Sequence, residues 1–318
     1  MQLNAEKYTF PHKAERCFPN SYIPRRFHDR KEDMASLRIG TCSWKYPSWE
    51  GLVYSAPKDI NYLKEYATQY DTVEVDQWFW SLHGPGKITM PREDTVREYA
   101  DSVSGDFRFS VKVPNSISLS HFYRKSKKDP LQENPDFLSV DLFERFLDTL
   151  APMHHLLGPL MLQFEYLNKQ KIPAPEIFLD RLSDFLDAVT RDFPIGVESR
   201  NPNYLNDRYF SLLEDKGVHH VFLQGYYMPP VREVFTKGGV PSSGMTVIRL
   251  HGPDRKGIEE KTGGSWDRRI EPRDQELQDV AEMTDVLLSQ DVDVYLNVNN
   301  HFEGSAPRTI ERFRELIS

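Results

Sequence analysis

The sequence predicts a single (β/α)8 TIM-type barrel, because short apolar strands alternate with amphipathic helices from residue 37 onward. Eight strand patterns can be counted, and eight strand–helix repeats are the number that closes such a barrel. Links from a helix to the next strand are short, whereas links after strands are long, for example residues 114–140 and 252–272. Long loops after strands are typical of the C-terminal face of barrels, where functional sites are built.

Each element follows from its periodicity. Alternation of apolar and polar residues predicts strands at residues 37–42, 72–76, 107–113, 159–164, 195–199, 219–224, 246–251 and 292–298. Amphipathic patterns predict helices at residues 59–68, 141–151, 176–188, 204–214, 273–289 and 307–317. Residues 1–36 contain Pro11, Pro19 and Pro24 and show no periodicity, so we expect an N-terminal extension before a barrel domain at residues 37–318.

The amino-acid composition argues against several classes of function. The 318 residues are 39% hydrophobic and 28% charged, which is ordinary for a chain that buries a large core. The net charge of −8 argues against a chain-wide electrostatic footprint for nucleic acid. Cys17 and Cys42 are the two cysteines, too few for a disulfide framework. No segment reaches the roughly 18 apolar residues that a membrane span needs, so we expect a cytoplasmic protein without a membrane partner.

The two faces of the third predicted strand differ in polarity. One face is wholly apolar, and the other carries Arg108, Ser110 and Lys112. In a closed barrel the apolar face packs against the helices, so the polar face gathers around the barrel axis. The same alternation turns a group of further polar side chains toward the axis: Glu74, Asp76, Gln163, Glu198, Arg200, Arg249, His251, Asn297 and Asn299. Because an unpaired charge inside a barrel costs several kcal/mol, these groups must pair with one another or contact a ligand.

These residue types suggest acid–base chemistry on an anion. Glu74 and Glu198 form a candidate catalytic pair, because two carboxylates in different environments can divide the proton transfers. Lys112 is the third candidate catalytic residue, either as a charge clamp for a phosphate or carboxylate or as a Schiff-base nucleophile. Nearby acids are expected to keep it protonated, which favours the clamp. The expected substrate-binding residues are Asp76, Gln163, Arg200, Arg249, His251, Asn299, Asn300, Trp44 and Tyr46.

Two further features admit both a functional and a structural interpretation. An aromatic rim that stacks on a sugar or base, or aromatic packing within the loops, could be formed by Trp44, Tyr46, Trp49 and Tyr54 together with residues 78–80. Residues 121–128 combine basic and aromatic residues, as in segments that grip a nucleic-acid backbone, although a solvated loop has the same composition. The acids are balanced by lysine and arginine and show no metal-binding histidine spacing, so neither a metal nor another cofactor is expected.

Several blocks of the chain resemble, in order, the YecE-like family, known as domain of unknown function 72. The blocks are residues 39–54, 73–80, 107–112, 158–163, 198–200, 249–252 and 299–306. The resemblance covers the chain from about residue 37 to its end, and it implies a TIM-type barrel of unestablished activity. The chain departs from the family where Cys42 and Ser43 replace the usual Ser and Gly, and where Asp76 replaces a common Asn.

The functional hypothesis is therefore a metal-independent enzyme that acts on a small polar or anionic substrate. Two alternatives remain, a single-stranded nucleic-acid binding or processing protein and a non-catalytic ligand-binding barrel. The number of subunits is left open by the sequence. The alternative for the charged residues is a buried ion network that only fills the barrel.

Overall fold

The protein forms a closed parallel barrel of eight strands in the order β1 to β8. The structure is a computed structural model, and it describes residues 35–124, 126, 128–238 and 244–317. The strands are β1 Leu37–Thr41, β2 Thr72–Val75, β3 Arg108–Lys112, β4 Leu157–Phe164, β5 Ile195–Ser199, β6 His219–Gly225, β7 Met245–Gly252 and β8 Asp293–Val298. Strands β1 and β8 pair from Leu37↔Val294 to Thr41↔Val298, which closes the barrel. The predicted fold class is confirmed.

Helices surround the barrel. They are α1 Tyr62–Tyr66, α2 Glu93–Asp101, α3 Asn115–Ser118, α4 Val140–Thr149, α5 Pro175–Ala188, α6 Asp207–Asp215, α7 Val231–Thr236, α8 Arg255–Thr262, α9 Asp274–Ser289 and α10 Ala306–Leu316. Within the described ranges, every helix is too short or too polar to cross a bilayer.

Three of these helices, α3, α7 and α8, lie in links that the sequence predicted as loops, and a fourth, α2, lies in a segment that the sequence analysis did not assign. In helix α2 Val96 is buried and Tyr99 and Ala100 are partly buried against the core, so its apolar face is short and gives a weak signal in the sequence. Helices α3, α7 and α8 are at most eight residues long and fall inside the long links after strands β3, β6 and β7. Helix α1 begins later than predicted, because the Asn61 side chain accepts the backbone N–H of Lys64 and so caps the first turn. Apart from its last two residues, the predicted extension 1–36 lies outside the described residues.

The alternation of the strands separates two apolar regions. Outward residues such as Val73, Val75 and Phe109 are fully buried between the sheet and the helices. A smaller inner cluster joins Met161, Val221, Met245, Val247 and Tyr295, of which Val221, Val247 and Tyr295 are register partners on adjacent strands. Two residues further along β4, β7 and β8 stand Gln163, Arg249 and Asn297. The inner cluster is therefore an apolar layer directly below a polar one.

Candidate functional site

Arg249 is the centre of the polar layer. Its Nε donates to Glu74 Oε2 at 2.8 Å and its Nη2 donates to Glu74 Oε1 at 2.6 Å, which is the two-pronged geometry that a guanidinium favours. Its Nη1 donates to Glu198 and, at 3.2 Å, to Gln163 Oε1. Asn297 also donates to Glu74, at 3.4 Å. The structure thus brings together residues from β2, β4, β5, β7 and β8 in a hydrogen-bonded network whose members are buried except for the partly exposed Gln163.

A second arginine completes this network on the solvent side. Arg200 Nε donates to Glu198 Oε1 at 2.5 Å, and Nη2 donates to Gln163 Oε1 at 3.2 Å. Its guanidinium lies 4.6 Å from the ring centre of Tyr226, and a fifth of its side chain is exposed. Burial alone would raise the pKa of Glu198, but Arg200 and Arg249 outweigh it and lower that pKa to about 2. Glu198 therefore stays ionised near neutral pH.

Lys112, at the end of β3, is a buried cation of the site without a partner among the described residues. Its side chain is 8% exposed, and its ammonium lies 3.9 Å from the ring centre of Phe79, with no hydrogen bond or ion pair to a described residue. Burial and the charge of Arg249 lower the pKa of Lys112 to about 8, although Glu74 and other acids oppose the change. The expectation that acids would dominate is wrong in direction, because the cost of desolvation is larger.

Asp76 lies just beyond the end of β2 and forms no described ion pair. Burial and the negative charge of Glu74 raise the pKa of Asp76 to about 6, against the opposing effects of Lys112 and Arg249. Asp76 and Lys112 each influence the pKa of the other without forming an ion pair, so a gap separates them. A carboxyl and an ammonium that both titrate near neutrality therefore lie beyond ion-pair distance of each other at the ends of the adjacent strands β2 and β3.

A hydrogen-bonded chain leads from the polar layer to the loop after β6. Cys42 Sγ lies 3.6 Å from His251 Nε2, and His251 Nδ1 lies 3.2 Å from the Tyr226 hydroxyl. Burial and the nearby charge of Arg249 lower the pKa of His251 well below its usual range, so the imidazole is neutral. Burial and Glu74 raise the pKa of the Cys42 thiol, which stays protonated. His251 thus contacts the site through neutral hydrogen bonds.

The two asparagines that follow β8 serve the backbone. Asn299 Oδ1 accepts the N–H of His301 at 3.0 Å, and Asn300 Oδ1 accepts the N–H of Ala306 at 2.8 Å. These bonds cap a short 3₁₀ turn and the start of α10. Backbone groups therefore occupy the Oδ1 atoms of both asparagines, and the expected contact of Asn299 and Asn300 with substrate stays a prediction. Asn297, on the strand itself, reaches Glu74 instead.

The residues of the predicted aromatic rim differ in how deeply they are buried. Trp44 is 6% exposed and packs edge-on against Tyr99 at 5.0 Å, so it belongs to the loop packing. Tyr46 packs against Trp49 at 4.6 Å. Burial, followed by the negative charge of Asp76, raises the pKa of Tyr46, whose hydroxyl therefore stays protonated beside that carboxylate. In contrast, Trp80 is well exposed.

Sequence reasoning missed Tyr226 as part of the site and named Phe79 only as a member of the aromatic rim, without its contact to Lys112. Tyr226 has a left-handed backbone with φ +53°, which is costly for a tyrosine and places it against both Arg200 and His251. Phe79 lies on a short 3₁₀ turn, Gln77–Phe79, that no strand alternation describes. Only the aromatic content of these two loops marked them in the sequence.

Two other predictions concern a basic run and metals. In the run 121–128, His121 is buried and forms a β-bridge with Glu133, whereas Lys125 and Lys127 lie outside the described residues. Among the residues that the structure describes, no three His, Cys, Asp or Glu side chains are grouped so that they could hold a metal ion.

Comparison with known proteins identifies the family to which this chain belongs. The family described as "Protein of unknown function DUF72" matches residues 38–318. The chain belongs to this family. The expected resemblance to YecE-like proteins is thus confirmed.

Individual DUF72 proteins are similar in sequence or fold. The UPF0759 protein YecE of Escherichia coli K12 is 26% identical over 184 residues, which are 58% of this chain and 55% of that protein, so the match spans about half the length of this relative. A DUF72 family protein of Thermotoga maritima has a TM-score of 0.61 at 19% identity, over 89% of this chain and 99% of that one. A DUF72 family protein of Enterococcus faecalis V583 has a TM-score of 0.58 at 19% identity, over 88% and 95% of the two chains. These solved structures support the fold alone.

Proposed function

We propose that this protein is an enzyme that binds a small polar anion at the C-terminal end of the barrel and transfers protons with Lys112 and Asp76. The observation that carries the proposal is the Lys112 ammonium, which is buried yet has no hydrogen bond or ion pair among the described residues. Burying a cation without a partner is costly, so an anionic ligand is the natural partner. Phosphate and carboxylate groups are the anions that such a site favours.

Arg249 has a different role in this proposal. Its guanidinium is already paired with Glu74 and Glu198, so these three residues form a rigid support beneath the site. Glu198 contributes negative charge to that support and does not act as an acid, because a carboxyl with a pKa of about 2 carries no proton to donate near neutrality. Arg200 retains donors beyond the two that it uses and is partly exposed, so it is the second contact for the anion.

The pKa values favour catalysis over passive binding. With a pKa of about 6, Asp76 is mostly ionised at pH 7, and with a pKa of about 8, Lys112 is mostly protonated. Groups that titrate on either side of neutrality are matched to general base and general acid roles. A substrate held in the gap between them would lose a proton to Asp76 and gain one from Lys112.

Charge balance links anion binding to pH. The cations Lys112, Arg200 and Arg249 exceed Glu74 and Glu198 by one charge, and an ionised Asp76 cancels that excess. Binding of an anion should therefore favour the protonated form of Asp76. We expect affinity for a simple anion to rise as the pH falls through about 6.

Isothermal titration calorimetry with inorganic phosphate tests the proposal. At low ionic strength the wild type should bind phosphate with a millimolar or lower Kd, and added salt should weaken binding. Lys112→Gln should weaken it about tenfold or more. Lys171→Gln removes the same charge from a lysine already paired with Glu165, and it should leave binding unchanged. Absence of phosphate binding, or equal binding by Lys112→Gln and wild type, would overturn the proposal.

A further inference from the structure

Exposed aromatic side chains are concentrated on one face of the barrel. Among the described residues, the exposed large hydrophobic side chains are Trp80, Tyr123, Tyr166, Ile177, Tyr227 and Val286. The aliphatic ones lie on the outer helices α5 and α9, whereas the four aromatic ones follow strands β2, β3, β4 and β6. The aromatic residues therefore lie in the loops that surround the proposed site.

Two of these residues form a continuous aromatic surface. The rings of Trp80 and Tyr123 lie 6.2 Å apart between centroids, tilted by 40°, and the two side chains are 59% and 57% exposed. We call these two side chains the aromatic platform. Exposing two large rings side by side leaves apolar area in water, so the arrangement suggests a ligand that covers it.

The aromatic platform is connected to the unpaired cation. Trp80 packs edge-on against Phe79 at 5.1 Å, and the Phe79 ring centre lies 3.9 Å from the Lys112 ammonium. The sum of these two distances is an upper limit on the separation between the ammonium and the centre of the Trp80 ring. One ligand of the size of a phosphorylated sugar can therefore reach both.

Hydrogen bonds hold the platform in place from beneath. The buried Asn115 carboxamide oxygen accepts the N–H groups of Ser81 at 3.0 Å and Leu82 at 2.9 Å, which ties the Trp80 loop to α3. On the Tyr123 side, Phe122 N–H donates to the carbonyl of Gln132 at 2.9 Å. The rings are thus presented by anchored backbone, which reduces the entropy lost when a ligand stacks on them.

On the basis of the proposed function, we propose that the substrate is an anion that carries a ring, and that the ring stacks on Trp80 and Tyr123 while the anionic group contacts Lys112. Phosphorylated sugars and nucleotides share this chemistry, since both join an anionic group to a ring with a face that can stack on an aromatic side chain, the C–H face of a sugar or the flat face of a base. The platform then determines which anions are substrates, and Lys112 supplies the charge that any anion needs.

Calorimetry with matched ligands tests the inference. The ligands are inorganic phosphate, glucose 6-phosphate and adenosine 5′-monophosphate, each titrated into the full-length protein. We expect at least one ring-bearing phosphate to bind about tenfold more tightly than inorganic phosphate, which is the contribution of one stacked ring. The better of the two identifies the ring as a sugar or a base. Equal affinity for all three ligands would overturn the inference and leave the anion site intact.

Variants separate this inference from the proposed function. Trp80→Ala and Tyr123→Ala should remove the advantage of the ring-bearing phosphate and leave the affinity for inorganic phosphate unchanged. Ile177→Ala, which truncates an exposed apolar residue on α5, should change neither. Lys112→Gln should weaken all three ligands. A ring advantage that survives in both Trp80→Ala and Tyr123→Ala would overturn the inference, whereas loss of phosphate binding in the wild type would overturn the proposed function itself.

Discussion

Arg249 and Lys112 are both buried cations of the barrel interior, and their environments differ in one respect. Arg249 is surrounded by carboxylates and an amide, so its burial is compensated by charged hydrogen bonds. The ammonium of Lys112 lies over the face of Phe79 and forms no ion pair with a residue that the structure describes. Cation–π contact returns about 1–2 kcal/mol, less than the desolvation of an ammonium costs. Lys112 should therefore reduce the stability of the fold, as residues kept for function often do.

This difference predicts that Lys112→Met stabilises the protein near neutral pH. Because burial lowers the pKa of Lys112 from 10.5 to about 8, the unfolded chain binds more protons between these values, and wild-type stability rises with pH across that window. Below pH 8 Lys112 is protonated in both the folded and the unfolded chain, so the full destabilising effect of burying its charge is present. Lys112→Met should raise the free energy of unfolding by roughly 2 kcal/mol at pH 7, and the gain should shrink toward pH 10.5.

Urea unfolding across this pH range measures the effect. Lys171→Met is the matched control, since Lys171 is paired with Glu165 and its removal should bring no gain. Parallel stability curves for wild type and Lys112→Met would show that the ammonium has an unseen partner in the folded state.

Glu198 should show the opposite behaviour. Its pKa in the folded protein is lowered from 4.5 to about 2, so it stabilises the fold above pH 4.5, and this contribution is lost as the pH falls toward 2. Glu198→Gln leaves Arg249 and Arg200 with fewer counter-charges inside the barrel. We expect a loss of roughly 3 kcal/mol at pH 7, which becomes smaller in acid.

Thermal and urea unfolding of Glu198→Gln decide between two roles. Glu233→Gln, which breaks an exposed pair with Lys237, should cost less than about 1 kcal/mol. If Glu198→Gln lost no more free energy of unfolding than this control, the structural role would be contradicted and Glu198 would again be a candidate proton carrier.

At the scale of elements, the ends of β6, β7 and β8 are interlocked by glycine. Gly252 ends β7 with φ +72°, and a Cβ at this position would lie 2.5 Å from the carbonyl oxygen of His301. Gly225, at the end of β6, approaches the backbone of Gly252 equally closely. These contacts fix the loop that carries Tyr226 and the end of β7 that carries His251. The site is thus positioned by backbone contact as well as by side chains.

Gly252→Ala should be strongly destabilising for this reason. It combines the cost of a left-handed backbone with a steric clash against backbone atoms, so we expect a loss of about 3 kcal/mol or more. Gly264→Ala is the control, because Gly264 has a similar φ of +82° but no atom within 4 Å of the added Cβ. That variant should cost only about 1 kcal/mol. Similar unfolding free energies for the two variants would contradict the interlock.

At the scale of the whole molecule, the barrel is stabilised by stacked layers. The apolar layer around Val221, Val247 and Tyr295 lies below the network of Arg249, and the outer core surrounds both. Closure requires β1, which pairs with β8 along its full length and with β2. Every described strand and helix lies between Leu37 and Leu316.

The predicted domain boundary can be tested by truncation. A chain that begins at Met34 retains β1 and should unfold within about 2 °C of the full-length protein, as measured by circular dichroism. A chain that begins at Cys42 lacks β1, so its barrel is open and its cooperative transition should be lost. A large drop in the melting temperature of the longer truncation would place residues 1–33 within the folding unit.

The sequence by itself determined the barrel, its strand bounds to within about two residues at most ends, and the inward direction of Glu74, Glu198 and Arg249. These features depend on a period of two along each strand, which a single sequence records. The tertiary structure decided which charges are paired, because Arg249 rather than Lys112 lies between Glu74 and Glu198. Pairing depends on distances between strands far apart in sequence, and burial then determined that Lys112 and Asp76 titrate near neutrality.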